Sequence, residues 1–355
     1  MAGTYTAPPR SSGSASTTLT PPESYEAPPT RGTKSTGSVT SDDPYSAPPS
    51  SNSAGGGPVE DAGTYDAPPV KLAANDTLRR RAKDEVPKKF VIAPTDLDKG
   101  KLIGQGGYGY VYRGVWREVA VAIKEIREVP DPKVSREAVK QMVEEAIMMC
   151  DLRPHTNLIQ FFGICLDPIS IVLEFAAKGA LEDALYGRKK EARIDFTAEQ
   201  RLAICLGAGR GVHHLHQEGV VHRDLAARNV LLTASLEPKL TDFGMAREGA
   251  EDEATTTATK VGPIRWMAPE QLSDQVVSTA SDVWAFGALM YEVYACEQPF
   301  GKKKNMVVAK QVMDGGHCDI PASAPESVQQ AMNACFEHDH EKRVKMKSIL
   351  TMLEE

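Results

Sequence analysis

His222-Arg223-Asp224-Leu225-Ala226-Ala227-Arg228-Asn229, followed after a short interval by Asp242-Phe243-Gly244, sets one carboxylate ahead of two further oxygen-bearing side chains. Phosphoryl transfer passes through a loose transition state, so it asks a protein for positioning and charge neutralisation more than for covalent help. It needs a proton acceptor beside the attacking hydroxyl and oxygen ligands for a divalent cation. Asp224 suits the first role, and Asn229 with Asp242 suits the second. Val230-Leu231-Leu232 and Lys239-Leu240-Thr241 predict short buried strands on either side of a turn at Glu237-Pro238. Such a hairpin brings Asn229 and Asp242 together.

Upstream, Gly104-Gln105-Gly106-Gly107-Tyr108-Gly109-Tyr110-Val111 fits G-x-G-x-x-G-x-V, in which Gly104, Gly106 and Gly109 let strands and a turn approach phosphates without a clashing Cβ. The residues that follow, Tyr112, Val115 and Trp116, stay β-like and do not open a helix, which argues against a dinucleotide-binding unit. Val119-Ala120-Val121-Ala122-Ile123 then predicts a strand that delivers the ammonium of Lys124 to the α and β phosphates. That ammonium needs a carboxylate anchor. Residues 136–150 have helical spacing, with Val139, Met142, Val143, Ala146, Ile147 and Met149 available for an apolar face. Spacing alone does not separate Glu145 from Glu144 as the anchor.

With Trp266-Met267-Ala268-Pro269-Glu270 and Ser281-Asp282-Val283-Trp284-Ala285-Phe286-Gly287 added, the chain from Val91 onward resembles the catalytic domain of eukaryotic protein kinases, specifically the tyrosine and tyrosine-kinase-like groups. The resemblance implies a two-lobed α+β fold: a small, mostly antiparallel β lobe with one main helix and a hinge over residues 91–176, and a larger, mainly helical lobe over 177–355. It selects Glu145 as the partner of Lys124, pairs Glu270 with Arg343, and makes Asp282 the brace of the catalytic loop. It puts Ile103, Val111, Ala122 and Leu231 around adenine, Glu174 and Ala176 in the hinge that hydrogen-bonds it, and Leu173 at the gatekeeper position. Met149, His222 and Phe243 fall on the stacked spine. The implied cofactors are ATP and Mg²⁺, with Mn²⁺ as the alternative ion, and the implied partners are protein substrates.

The resemblance also bears on the acceptor. Ser/Thr kinases usually carry a lysine two residues after the catalytic aspartate, where this chain has Ala226, whereas Ala226-Ala227-Arg228 before Asn229 resembles tyrosine kinases, with Arg228 supplying the charge. Val261-Gly262-Pro263-Ile264-Arg265-Trp266 resembles their substrate platform. Asp96-Leu97-Asp98-Lys99-Gly100 with Gly114-Val115-Trp116 looks more like the tyrosine-kinase-like group. The expectation is tyrosine or dual specificity; the alternatives are a Ser/Thr-directed kinase and a scaffold with little catalysis. Between Asp242 and Glu270 stands no tyrosine, but an acidic run, Glu251-Asp252-Glu253, followed by Thr255, Thr256, Thr257 and Thr259. A fixed acid or a phosphothreonine there would meet Arg223.

Residues 1–90 read as a disordered Pro/Ser/Thr/Gly-rich tail ending in a basic linker, because almost no large aliphatic side chains are available to offset the entropy of folding. Within it Tyr5-Thr6-Ala7-Pro8-Pro9 returns as Tyr25-Glu26-Ala27-Pro28-Pro29, Tyr45-Ser46-Ala47-Pro48-Pro49 and Tyr65-Asp66-Ala67-Pro68-Pro69. These units lack an apolar face to stack, so they predict a linear array and not a solenoid. Tyrosine with proline three residues on resembles sites bound, once phosphorylated, by Src-homology-2 adaptor proteins. The expectation is a docking array; a Pro-rich spacer is the alternative.

Composition agrees with one tail and one two-lobed domain in 355 residues, and the formal charge of −7 gives no support to nucleic-acid binding. The basic run Arg79-Arg80-Arg81-Ala82-Lys83 reads as a solvated linker, and membrane association is not expected. The six cysteines form no C-x-x-C pair, which suits a reducing, cytoplasmic setting, and the N-terminal residues show no signal-peptide pattern. His213, His214 and His216 read as packed or surface residues, not ligands.

Overall fold

The computed structural model describes residues 73–106, 109–126, 132–187, 193–243 and 264–355. The repeats at Tyr5, Tyr25, Tyr45 and Tyr65 and the segment with Glu251 and Thr255 lie outside the described residues.

Six strands, β1 (Val91–Ile92), β2 (Leu97–Gly106), β3 (Gly109–Trp116), β4 (Val119–Ile126), β5 (Phe161–Leu166) and β6 (Ile169–Glu174), form one sheet in the order β1-β5-β6-β4-β3-β2. Every pairing is antiparallel except β1 with β5. Alternation along β4 explains its two faces. Val121 and Ile123 are buried in one small core with Ile92 and Val172, and Ala122 and Lys124, out of phase with them, belong to the other face. Across it packs α2 (Pro132–Asp151), whose Val139, Met142, Val143, Ala146 and Met149 form a buried stripe at helical spacing.

The segment read as tail and linker folds further upstream than the sequence suggested. Residues 73–85 form a helix, α1 (Ala73–Glu85), and a turn of 3₁₀ helix covers Lys88–Phe90. Leu78, Ala82 and Val86 are buried in the core that contains the α2 stripe. Their spacing of four puts them on one face, a pattern that the surrounding arginines and lysines obscure in composition.

The second lobe begins with β7 (Gly179–Ala180) and α3 (Leu181–Tyr186), then α4 (Ala198–Gln217), which opens on a capping box between Thr197 and Gln200. β8 (Val230–Leu232) and β9 (Pro238–Leu240) complete a three-stranded sheet with β7, in the order β7-β8-β9. The hairpin exists, but its turn lies earlier than Glu237-Pro238. The Thr233 N–H donates to the Glu237 carbonyl at 3.1 Å, and Pro238 pairs with Leu232. Because β9 is at the sheet edge, a proline without an N–H costs it no central ladder bond. The helices α5 (Pro269–Ser273), α6 (Thr279–Ala295), α7 (Asn305–Met313), α8 (Glu326–Cys335) and α9 (Met346–Glu354) follow. From Ser281 to Tyr294 every residue of α6 is buried, as expected for a largely apolar helix at the centre of the lobe, with Asp282 and Glu292 as its two buried carboxylates. No helix of the described residues is long and apolar enough to cross a membrane.

Candidate active site

Strand β4 carries Lys124 to the position where three charges meet. Its Nζ lies 3.1 Å from both Oε1 and Oε2 of Glu145 on α2, and 2.6 Å from Oδ1 of Asp242. Burial opposes charge on Lys124, but the nearby carboxylates of Glu145 and Asp242 more than offset it and raise its pKa. Burial also raises the proton affinity of Glu145, with Lys124 acting against it and Asp242 adding to it. One ammonium is thus shared by two carboxylates. The neighbouring carboxylate that competed in the sequence, Glu144, points to another partner, accepting from Arg81 of α1 at 3.0 Å.

The loop over residues 222–229 is held by α6. Oδ2 of Asp282 accepts from the His222 N–H at 2.7 Å and Oδ1 from the Arg223 N–H at 2.9 Å. These bonds hold Arg223 at φ 72°, a left-handed conformation that disfavours a non-glycine residue, and Asp242 stands likewise at φ 56°. The loop then presents Asp224, whose Oδ2 accepts from Asn229 Nδ2 at 2.7 Å and whose Oδ1 forms an ion pair with Arg228. Asn229 Nδ2 also donates to the Asp224 carbonyl at 2.6 Å. Both amide protons therefore have acceptors, and Oδ1 is left as the atom for a hard cation. Asn229 and Asp242 are joined through the hairpin by the Thr241 N–H, which donates to the Asn229 carbonyl at 3.0 Å.

Beneath this group His222 is fully buried, edge-on to Phe243 with ring centroids 6.2 Å apart, and burial lowers its pKa, keeping the imidazole neutral. Met149 and Phe243 are buried in the same core, as expected for the spine.

The residues expected around adenine fall into two groups. Val111, Ala122 and Leu231 are half-buried and Leu173 and Ala176 are buried, whereas Ile103 on β2 is 46% exposed. In the hinge, the Glu174 N–H already donates to the Gln160 carbonyl at 2.9 Å, and its side chain accepts from Lys239 at 2.9 Å. Neither the Phe175 nor the Ala176 N–H has a backbone acceptor among the described residues.

The glycines divide as well. A Cβ on Gly109 would lie 1.9 Å from the Glu125 carbonyl oxygen, so glycine is required there by strand packing whatever the ligand. At Gly104 a Cβ would make ordinary contact with Val111 at 3.6 Å, and Gly106 ends β2 paired with Gly109.

One component escaped the sequence reading. Glu292 of α6 is wholly buried, yet its Oε1 accepts from Tyr186 Oη at 2.5 Å and its Oε2 from the Ala227 N–H at 2.9 Å and Trp266 Nε1 at 2.8 Å. Desolvation pushes its pKa up to about 7, against the pull of these donors. Arg228 lies over the Trp266 ring at 4.6 Å from its centroid. A lone carboxylate inside Leu289-Met290-Tyr291-Glu292-Val293-Tyr294 was the available signal.

Residues 97–353 match the family model for protein tyrosine and serine/threonine kinases. Among curated relatives, the chain is 35% identical over 272 residues to tyrosine-protein kinase TXK of Homo sapiens, covering 76% of this chain and 50% of that protein. It is 33% identical over 269 residues to tyrosine-protein kinase Btk of Drosophila melanogaster, covering 75% and 33%. It is 34% identical over 288 residues to mitogen-activated protein kinase kinase kinase 10 of Xenopus laevis, covering 77% and 27%. The chain spans half or less of the length of these relatives.

Proposed function

Since the chain belongs to the protein tyrosine and serine/threonine kinase family, we propose that it is a protein kinase that transfers the γ-phosphoryl group of ATP to protein tyrosine, with dual specificity within its reach. The observation that carries the reading is the convergence of Lys124, Glu145 and Asp242 above an Asp224 held by Asn229 and Arg228.

Asp242 and the free Oδ1 of Asn229 would hold the divalent cation, Mg²⁺ or Mn²⁺. The cation would supply charge neutralisation on the phosphates and take its remaining oxygen ligands from them. Lys124, kept in place by Glu145, orients the α and β phosphates. Leu173, Ala122, Val111, Leu231 and Ile103 line the base, with the Ala176 N–H as donor. Asp224 has lone pairs left beyond its bonds to Asn229 and Arg228, enough to accept the acceptor hydroxyl and its proton. Arg228, between Asp224 and the Trp266 ring, provides positive charge where Ser/Thr kinases usually have a lysine side chain and this chain has Ala226. That placement favours tyrosine. A Ser/Thr-directed kinase is the alternative, and phosphoamino-acid analysis of a peptide reaction separates the two.

In the tail, Tyr5, Tyr25, Tyr45 and Tyr65 are proposed as autophosphorylation sites that recruit Src-homology-2 adaptor proteins, four sites in tandem raising avidity. All six cysteines are free thiols, in keeping with the proposed cytoplasmic setting. The decisive test of the chemistry is Asp224→Asn. Turnover should fall by about two to four orders of magnitude with nucleotide affinity nearly unchanged; a variant with near-parental turnover overturns the assignment.

A further inference from the structure

Two neighbouring carboxylates on α2 are tied to different partners on different sides of the helix. Successive residues of an α-helix point about 100° apart. Glu145 reaches inward to Lys124 at 3.1 Å, and Glu144 reaches back to Arg81 Nη1 at 3.0 Å. Two anchors at different angles define the rotation of α2 about its own axis, which one anchor alone does not. Any rotation that withdraws Glu145 from Lys124 also pulls Glu144 from Arg81.

The anchor on the far side is itself built. Arg81 is braced within α1 by Glu85 Oε1 at 2.9 Å, one helical turn on. Leu78, Ala82 and Val86 bury the adjoining face of α1 in the core formed by Val139, Met142 and Val143. Arg79 Nη2 reaches Asp167, between β5 and β6, at 3.1 Å. The helix is therefore fastened to α2 and to the sheet beside it. Lys140 also approaches Glu144, but from within α2 and at 4.0 Å, so it cannot fix the helix against its surroundings.

We propose that α1 is a brace for the reaction centre and that Arg81, acting through Glu144, is a positioning residue that sets Glu145 to hold Lys124. This inference rests on the kinase reading for its effect on turnover, but its structural half can be tested without nucleotide. The experiment uses the full chain with Arg81→Glu, Glu144→Arg, the double exchange, and Leu78→Asp. Amide hydrogen exchange without nucleotide should quicken in residues 139–151 for Arg81→Glu and more for Leu78→Asp, with α6 still protected. In a peptide assay, Arg81→Glu should lower turnover about 2- to 5-fold, the scale of one partly exposed ion pair, and the double exchange should recover most of it. Because the effect is routed through Glu145, Arg81→Glu should cause no further loss in a Glu145→Gln background.

Unchanged exchange in 139–151, an equal loss in the Glu145→Gln background, or a double exchange that does not recover each overturns the proposal. If Leu78→Asp exposes α6 as well, the Arg81 and Glu144 variants decide alone, since they alter surface charge without opening the core. Altered exchange in a chain that phosphorylates nothing would instead refute the kinase activity and leave the brace standing.

Discussion

Glu270–Arg343 and Lys124–Glu145 are both buried carboxylate–cation contacts, one in each lobe, yet their surroundings differ. Arg343 meets both oxygens of Glu270, at 2.7 and 3.1 Å, and gives its remaining donors to the carbonyls of Ala280, Glu337 and His338. It also lies over the Trp284 ring. Such a pair is over-determined, with complementary charge and directional partners on every side. The Lys124 ammonium is divided between Glu145 and Asp242, and Asp242 keeps a 38% exposed side chain at the cleft. Here negative charge outnumbers positive in the pairing. The first arrangement holds a fold; the second leaves a carboxylate exposed at the cleft with its charge only partly met by Lys124.

The widest gap between the two should appear on breaking the structural pair. Arg343→Met leaves Glu270 charged and uncompensated in the core, and should lower unfolding stability in urea by about 3–5 kcal/mol. A loss below about 1 kcal/mol would mean that the pair holds nothing together.

Glu292 extends the comparison, because it is a buried carboxylate with donors but no bidentate cation. Its folded pKa, pushed up to about 7, lies above the unfolded carboxylate value. Ionised Glu292 therefore penalises the folded state above that pH, and protonation relieves the penalty as pH falls from about 7 towards 4.5. Measured against Glu292→Gln, the parent should gain about 2–3 kcal/mol of relative stability between pH 7.5 and 5. A difference that is flat with pH would show that the donors from Tyr186, Trp266 and Ala227 fully offset the desolvation.

At the cleft, Glu145→Gln removes a charge that is costly to bury while Lys124 keeps Asp242. Unfolding stability should change by less than about 1 kcal/mol, even as turnover falls. Equal stability losses for Glu145→Gln and Arg343→Met would erase the distinction.

Much of this contrast was legible in the sequence. The motif around Asp224 and the strand that carries Lys124 follow from residue type, spacing and order, because chemistry restricts those positions to few side chains, whereas the pairing of Glu270 with Arg343 came from the family resemblance. Glu145 needed the family pattern, since neighbouring glutamates differ only by rotation about a helix. Gly109 was read as a phosphate-loop residue, but the Glu125 carbonyl alone demands it. Helix α1 was missed because three buried residues at spacing four stand among Arg79, Arg80, Arg81 and Lys83, and composition averages such a face away. The partners of Glu292 come from α3, the segment at Ala227 and the turn at Trp266, which no local pattern connects.

Helix α1 also changes the smallest expected effect, the order in which the tail tyrosines would be modified if the proposed autophosphorylation occurs. Had the linker been free up to Phe90, Tyr65 would have had the most favourable tether. With the chain anchored from Ala73, Tyr65 stands only eight residues before the helix and can reach at most about 27–29 Å. A tether this short restricts Tyr65 far more than one that started at Phe90 would. Tyr45, with 28 residues of tether, has a coil span of about 30 Å. Effective concentration peaks near that match and then falls roughly as the −3/2 power of length, so Tyr25 and Tyr5 should follow about two- and fourfold more slowly. Mass spectrometry of initial rates, independent of dilution if transfer is intramolecular, should give Tyr45 first and Tyr65 behind it. In Leu78→Asp, where α1 is released, Tyr65 should overtake. If Tyr65 leads in the parent chain, the helix does not anchor the tail during the reaction, and if no site is modified while an added peptide is, the repeats are a spacer.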